Sequence, residues 1–161
     1  MFIVDVQGFH LTDKSFVAKE VAVCSLEDGK TAHFLLQPPL NTCPDFRSQW
    51  YVETYCHGID WDKGFVPYDN LKDVLSSVIG CEYRVYCKGL DKCRFFENLL
   101  QRHITNLDTL TCPKLAKLRE CEVKCLFHNG QYFNCALQNV LVLRLWIMAH
   151  ENFSQFVKTV M

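Results

Sequence analysis

A C-x2-H-x6-C pattern, Cys125, His128 and Cys135 spread across the turn former Asn129-Gly130, constrains this chain more than any other feature. A tight turn at that spacing lets two thiolates and an imidazole converge on one ion, and Zn²⁺ is the usual occupant of such a set. A closed structural zinc site takes four ligands, so a fourth donor has to come from elsewhere. Cys112 and Cys121 are rival donors, and Cys121-x3-Cys125 has helical spacing and needs no distant partner. The competing reading is that these are ordinary buried thiols in a chain with 10 cysteines.

The length of 161 residues suits one domain, residues 1–161, with a sizeable core. Hydrophobic residues make up 49% and charged residues 22%, which excludes a disordered chain. A net charge of -1 gives no overall footprint for nucleic acid, so contact with RNA or DNA would need a local basic patch. Met1 to Val6 lacks a basic region followed by an apolar one, so no secretory signal is expected. The thiols are therefore expected to be reduced, intracellular (cytoplasmic or nuclear) and partly metal-bound. The longest apolar run, Val140 to Ala149, is interrupted by Arg144 and is too short to span a bilayer.

The chain opens with strands. Phe2–Phe9 alternates and is β-branched, as a central strand would be, and Phe16–Ser25 is a second strand. Glu27-Asp28-Gly29-Lys30 is a hairpin turn leading to Thr31–Gln37, which Pro38-Pro39 stops. Helices are predicted over Asp45–Tyr55 and from Pro67 to Ile79, with Gly58 and Gly80 at their ends. Glu82–Lys88 reads as a strand, Asp91–Arg102 as a helix and Ile104–Leu107 as a short strand. A short helix from Cys112-Pro113 to Leu118 follows, then a long helix from Phe133 that is apolar almost all round and therefore expected to be buried. Leu137, Leu141 and Leu145 at i, i+4 and i+8 are predicted to face the sheet. This order implies an α/β fold with a mixed sheet, three antiparallel strands and then two parallel ones, flanked by helices. The chain has no repeat, low-complexity segment, G-x-G-x-x-G, P-loop or G-x-S-x-G elbow.

That element order resembles the ribonuclease H-like fold, and in particular the DEDD exonucleases, whose four carboxylates hold two metal ions. Their Asp-x-Glu on the first strand corresponds to Asp5-Val6-Gln7, with a neutral Gln7 in place of the Glu. Their Asp after the fourth strand corresponds to Asp91, which Lys88 and Lys92 flank and guard against cations. Their His-x-Ala-x-x-Asp at a helix start corresponds to Asn134-Cys135-Ala136-Leu137-Gln138-Asn139, with Asn at both end positions. The resemblance implies a site with at most two remnant carboxylates, Asp5 and Asp91, and degenerate positions Gln7 and Asn139, too few for two divalent ions.

The chain also resembles the Maelstrom domain of small-RNA silencing, an RNase H-like domain that lacks the DEDD carboxylates and binds zinc through Glu, Cys, His and Cys. Cys125, His128 and Cys135-Ala136-Leu137 match its Cys-x2-His and Cys-Ala-Leu helix start, and Glu20 its strand Glu. This chain is shorter and its Cys-to-Cys gap differs by about one residue. The resemblance implies Zn²⁺ on Glu20, Cys125, His128 and Cys135. Read by itself, Glu20 among apolar neighbours suits either a ligand or the exposed face of an edge strand.

The expected function is that of a catalytically degenerate, zinc-binding domain that binds RNA or a protein partner. Two alternatives are a residual metal-dependent nuclease on Asp5 and Asp91, and an assembly module forming a homodimer through Val140–Ala149. Nothing marks a cysteine as an activated nucleophile. The aromatic residues suit either a core or stacking platforms for single strands. His57 reads as a capping or core histidine, and His150 as a surface residue near a helix C-terminus.

Overall fold

Runs of β-branched and aromatic residues make the first two strands, and both lie in the middle of the sheet. The computed structural model describes residues 1–81, 83–118, 123, 125–128 and 134–150. Strands β1 (Phe2–His10), β2 (Phe16–Ser25) and β3 (Thr31–Leu35) pair antiparallel, while β1–β4 (Val85–Cys87) and β4–β5 (Thr105–Asn106) pair parallel. The spatial order is β3-β2-β1-β4-β5. The mixed sheet therefore agrees with the sequence reading, although β4 and β5 are shorter than predicted. Gly29 turns β2 into β3 at φ 72, with Asp28 Oδ1 accepting from the Lys30 amide at 3.0 Å.

Strand periodicity sorts side chains between two layers. Val4, Val6, Val21 and Val23 meet helices α2 (Leu71–Ile79) and α3 (Leu90–Leu100) on one face. Ile3, Ala22 and Cys24 meet helix α4 (Ala136–Ala149) on the other. Asp5 pairs with Ala22 and Gln7 with Glu20, so all four belong to the α4 face. The register shifts beyond Gln7, where Gly8 pairs with Ala18 and Lys19 is left over. At Gly8 a Cβ would lie 2.1 Å from the Val17 carbonyl oxygen, so the bulge requires glycine. Buried Lys19 turns its ammonium to the carbonyls of Leu36, Trp61 and Lys63, which ties β2 to the loop beyond β3.

Helix α1 (Phe46–Tyr51) starts at Asp45, whose Oδ1 accepts from the amides of Arg47 and Ser48, both at 3.0 Å. It continues as a π turn over Val52–Cys56. The prediction of helix over residues 45–55 thus holds in extent but not in winding. The predicted helix after Cys112 is a 3₁₀ turn, Leu115–Lys117.

Helix α4 corrects two expectations. Its sheet-facing residues are Ala136, Val140, Leu143 and Ile147, not Leu137, Leu141 and Leu145. Leu137 and Leu141 are half-buried, and Leu145 is 52% exposed. Nor is the helix buried all round, since Met148 is exposed as well. No helix among the described residues is long and apolar enough to cross a membrane.

Candidate functional site

Four donors converge between β2 and the start of α4. Carboxylate, thiol and imidazole atoms of Glu20, Cys125, His128 and Cys135 all lie within 4.8 Å of one another. A tetrahedral zinc shell with bonds of about 2.0–2.3 Å sets its ligands roughly 3.3–3.8 Å apart, so the cluster needs only a small contraction to close on an ion. Glu20 arrives on β2, which is not an edge strand, and is wholly buried. Cys135 is the N-cap of α4, its sulfur 3.5 Å from the Gln138 amide. The turn residues Asn129-Gly130 and the rival donor Cys121 lie outside the described residues. Cys112 is buried among the α4-side core residues and is not part of the cluster.

The surroundings fix each donor. The Nδ1 of His128 bonds the carbonyl of His57, which leaves Nε2 facing Glu20 Oε1 at 3.2 Å. A neutral ring that donates from Nδ1 points a lone pair at that carboxylate oxygen. A cation between them, or a second ring proton, relieves the clash. His33 Nε2 lies 2.7 Å from the same Glu20 oxygen, and the Ala136 amide donates to Oε2 at 3.2 Å. Burial pushes Glu20 up, but hydrogen bonds from His128 and His33, the His128 charge and the Ala136 amide outweigh it and hold the carboxyl at about 2. Burial pulls His128 down, yet its bond to Glu20 leaves it raised. Burial pushes the thiols of Cys125 and Cys135 up, the second strongly, with the Glu20 charge adding to both. Such a set of two thiols, an imidazole and a carboxylate suits zinc rather than Mg²⁺ or Mn²⁺, and an entering ion would displace the thiol protons.

His57 is a core histidine and also the support of His128. It is buried, with Nε2 donating to the Gly8 carbonyl at 3.1 Å and Nδ1 accepting from the Ile59 amide at 3.1 Å. Burial holds its pKa down at about 4, which keeps the ring neutral. The supporting roles of His57 and His33 were not read from sequence. Register would have found His33, which pairs with Ala22 on the Glu20 face.

A second polar centre sits beside the first. Buried Asp5 accepts from Lys92 Nζ at 2.7 Å through Oδ1 and from Asn139 Nδ2 at 2.9 Å through Oδ2, with Gln7 Nε2 at 3.5 Å. The structure thus brings Asp5, Gln7 and Asn139 together, and adds Lys92. Asp91, one residue earlier on α3, is exposed and lines the adjoining cavity. Burial opposes the Lys92 charge, but the Asp5 carboxylate outweighs it and raises the pKa. One ammonium therefore neutralises Asp5, the buried one of the two remnant carboxylates. His150 is half-buried, its ring 4.8 Å from that of Trp146.

Comparison with known proteins follows the same outline. The Mopeia virus exonuclease domain fully depleted of manganese matches 91% of this chain and 75% of its own length, with a TM-score of 0.58 and 17% identity. The same domain partially complexed with manganese matches 91% of this chain and 76% of its own, with a TM-score of 0.57 and 16% identity. No family model and no curated protein matches the chain. At these identities the likeness establishes the fold: a mixed α/β, RNase H-like sheet flanked by helices.

Proposed function

We propose that this chain is a catalytically inert RNase H-like domain, braced by one structural zinc, that binds single-stranded RNA instead of cutting it. The observation that carries the reading is Lys92 on Asp5. Two-metal hydrolysis needs several carboxylates to hold ions that activate water and stabilise the leaving group. Here Gln7 and Asn139 are neutral and an ammonium already neutralises Asp5.

Glu20, Cys125, His128 and Cys135 would hold the zinc, which bound there supplies a rigid cross-link and no open coordination position. A Maelstrom-like role in small-RNA silencing is consistent with this donor set and with the helix start at Cys135-Ala136-Leu137. Alternative roles are a residual nuclease and a homodimer built on the exposed Leu145 and Met148 of α4.

The test is a timed digestion of end-labelled single-stranded RNA with Mg²⁺ or Mn²⁺, run beside a salt-dependent binding assay. Binding without shortening is expected. Processive shortening that requires the divalent ion and is lost in Asp5→Ala would favour the nuclease, whereas a concentration-dependent dimer with no RNA affinity would favour assembly.

A further inference from the structure

An overall charge of -1 conceals a local grouping of cations and aromatic rings. A cavity of about 620 Å³ opens beside the Asp5 centre, lined in part by Lys92, Arg94, Phe16 and Phe95. A second cavity of about 610 Å³ lies along α1 and is lined by His10, Arg47, Ser48, Trp50, Tyr51 and Val52. His10 and Val52 belong to both, so the two form one groove. Each cavity falls within the roughly 300–1,000 Å³ of small-ligand sites.

With Lys92 paired to Asp5, Arg94 and Arg47 are the cations this groove offers, and among the described residues that line it Asp91 is the one other carboxylate. Trp50, Tyr51 and Tyr55 are all more than half exposed on α1 and the π turn that follows it. Tyr55 packs against both neighbours, edge-on to Trp50 at 5.5 Å and tilted to Tyr51 at 5.4 Å, which stiffens the platform. A protein interior would cover such rings, and their exposure beside arginine is the pattern of a single-strand groove, where cations follow the backbone and bases stack.

We propose that single-stranded nucleic acid lies in this groove. Its phosphates pass Arg94 and Arg47, and bases stack on Trp50 and Tyr51. The proposal rests on the RNA-binding reading above and adds the path of the strand, which runs from the Asp5 centre onto α1. Stacking is worth enough that losing one ring weakens binding on the order of tenfold. Losing one phosphate contact flattens the salt dependence by about 0.7 in log K against log salt.

The experiment measures binding of a fluorescein-labelled oligouridylate to the full chain across a range of salt concentrations, with melting curves as a control for folding. Trp50→Ala is expected to weaken binding on the order of tenfold, and Arg47→Ala to weaken it and flatten the salt slope. Lys72→Ala is expected to bind as the wild type does, because Lys72 lies on α2 and lines neither cavity. If the wild type binds and Trp50→Ala and Arg47→Ala bind equally well, the groove path is overturned while RNA binding stands, and the aromatic face is left for a protein partner. Equal weakening in Lys72→Ala also overturns it, because the affinity would then be diffuse. A wild type that does not bind at low salt overturns the RNA-binding reading itself.

Discussion

Lys92 decides what Asp5 can do. Asp5 is 1% exposed, and a buried carboxylate needs a counter-charge or a proton. Replacing Lys92 with methionine leaves that charge unpaired and is expected to cost about 3 kcal/mol in chemical denaturation, toward the low end for a broken buried pair because the lysine side chain is 30% exposed. The pH dependence has a definite sign. The folded-state pKa of Lys92 is raised above 10.5, so its stabilisation is fully present below 10.5 and is lost as pH rises through the folded value. Lys92→Met should lack this alkaline loss, as melting temperatures followed above about pH 10 will reveal. A gain-of-metal experiment examines the same centre. Gln7→Glu with Asn139→Asp should raise Mn²⁺ affinity in calorimetry, and adding Lys92→Ala should raise it further. No gain in the triple variant would mean that these positions do not share one site. The neutral residues at Gln7 and Asn139 were legible in sequence. The choice of Lys92 over Asp91 was not, because adjacent helical residues point about 100° apart. Burial of Cys93 and Phe96 sets the phase of α3.

Helix α4 shows how an element can be legible while its orientation is not. Its run of Val, Leu, Trp, Ile and Met predicts a helix, but apolar residues occupy every side, so spacing alone picks the wrong face, Leu137, Leu141 and Leu145. Tertiary contacts choose the face. Cys135 meets Glu20 and Asn139 meets Asp5, one turn apart, and these anchors turn Ala136, Val140, Leu143 and Ile147 onto the sheet. Leu143→Ala should therefore cost roughly 2–5 kcal/mol in urea unfolding. Leu145→Ala should change stability by no more than about 0.5 kcal/mol. Equal losses would show Leu145 to be covered, as a homodimer through α4 requires. In α1 the Asp45 cap was implicit in the sequence, whereas the π turn that follows had no local signature.

At the scale of the molecule, the two centres share the α4 face of the sheet and one helix start. Gln7 pairs across from Glu20, while Cys135 and Asn139 reach the two centres from successive turns of α4. A metal on the Cys135 cluster would therefore also hold Asn139 on Asp5. Purified protein is expected to carry one zinc per chain by elemental analysis. Chelation should lower the melting temperature markedly, because the energy of a structural zinc site is folding energy. Zinc retained at full affinity in Glu20→Ala would remove Glu20 from the ligand set.

By itself the sequence determined the strand and helix order, the mixed sheet and the C-x2-H-x6-C donors, because periodicity, turn residues and spacing are local properties of the chain. The Maelstrom resemblance already names Glu20 as the fourth donor, but only the tertiary structure decided that it reaches the other three, that His57 and His33 support them, and that Lys92 lies on Asp5. These pairings join residues far apart in sequence. They depend on strand register, on the bulge at Gly8 and on helix phase, which are fixed only when the layers pack.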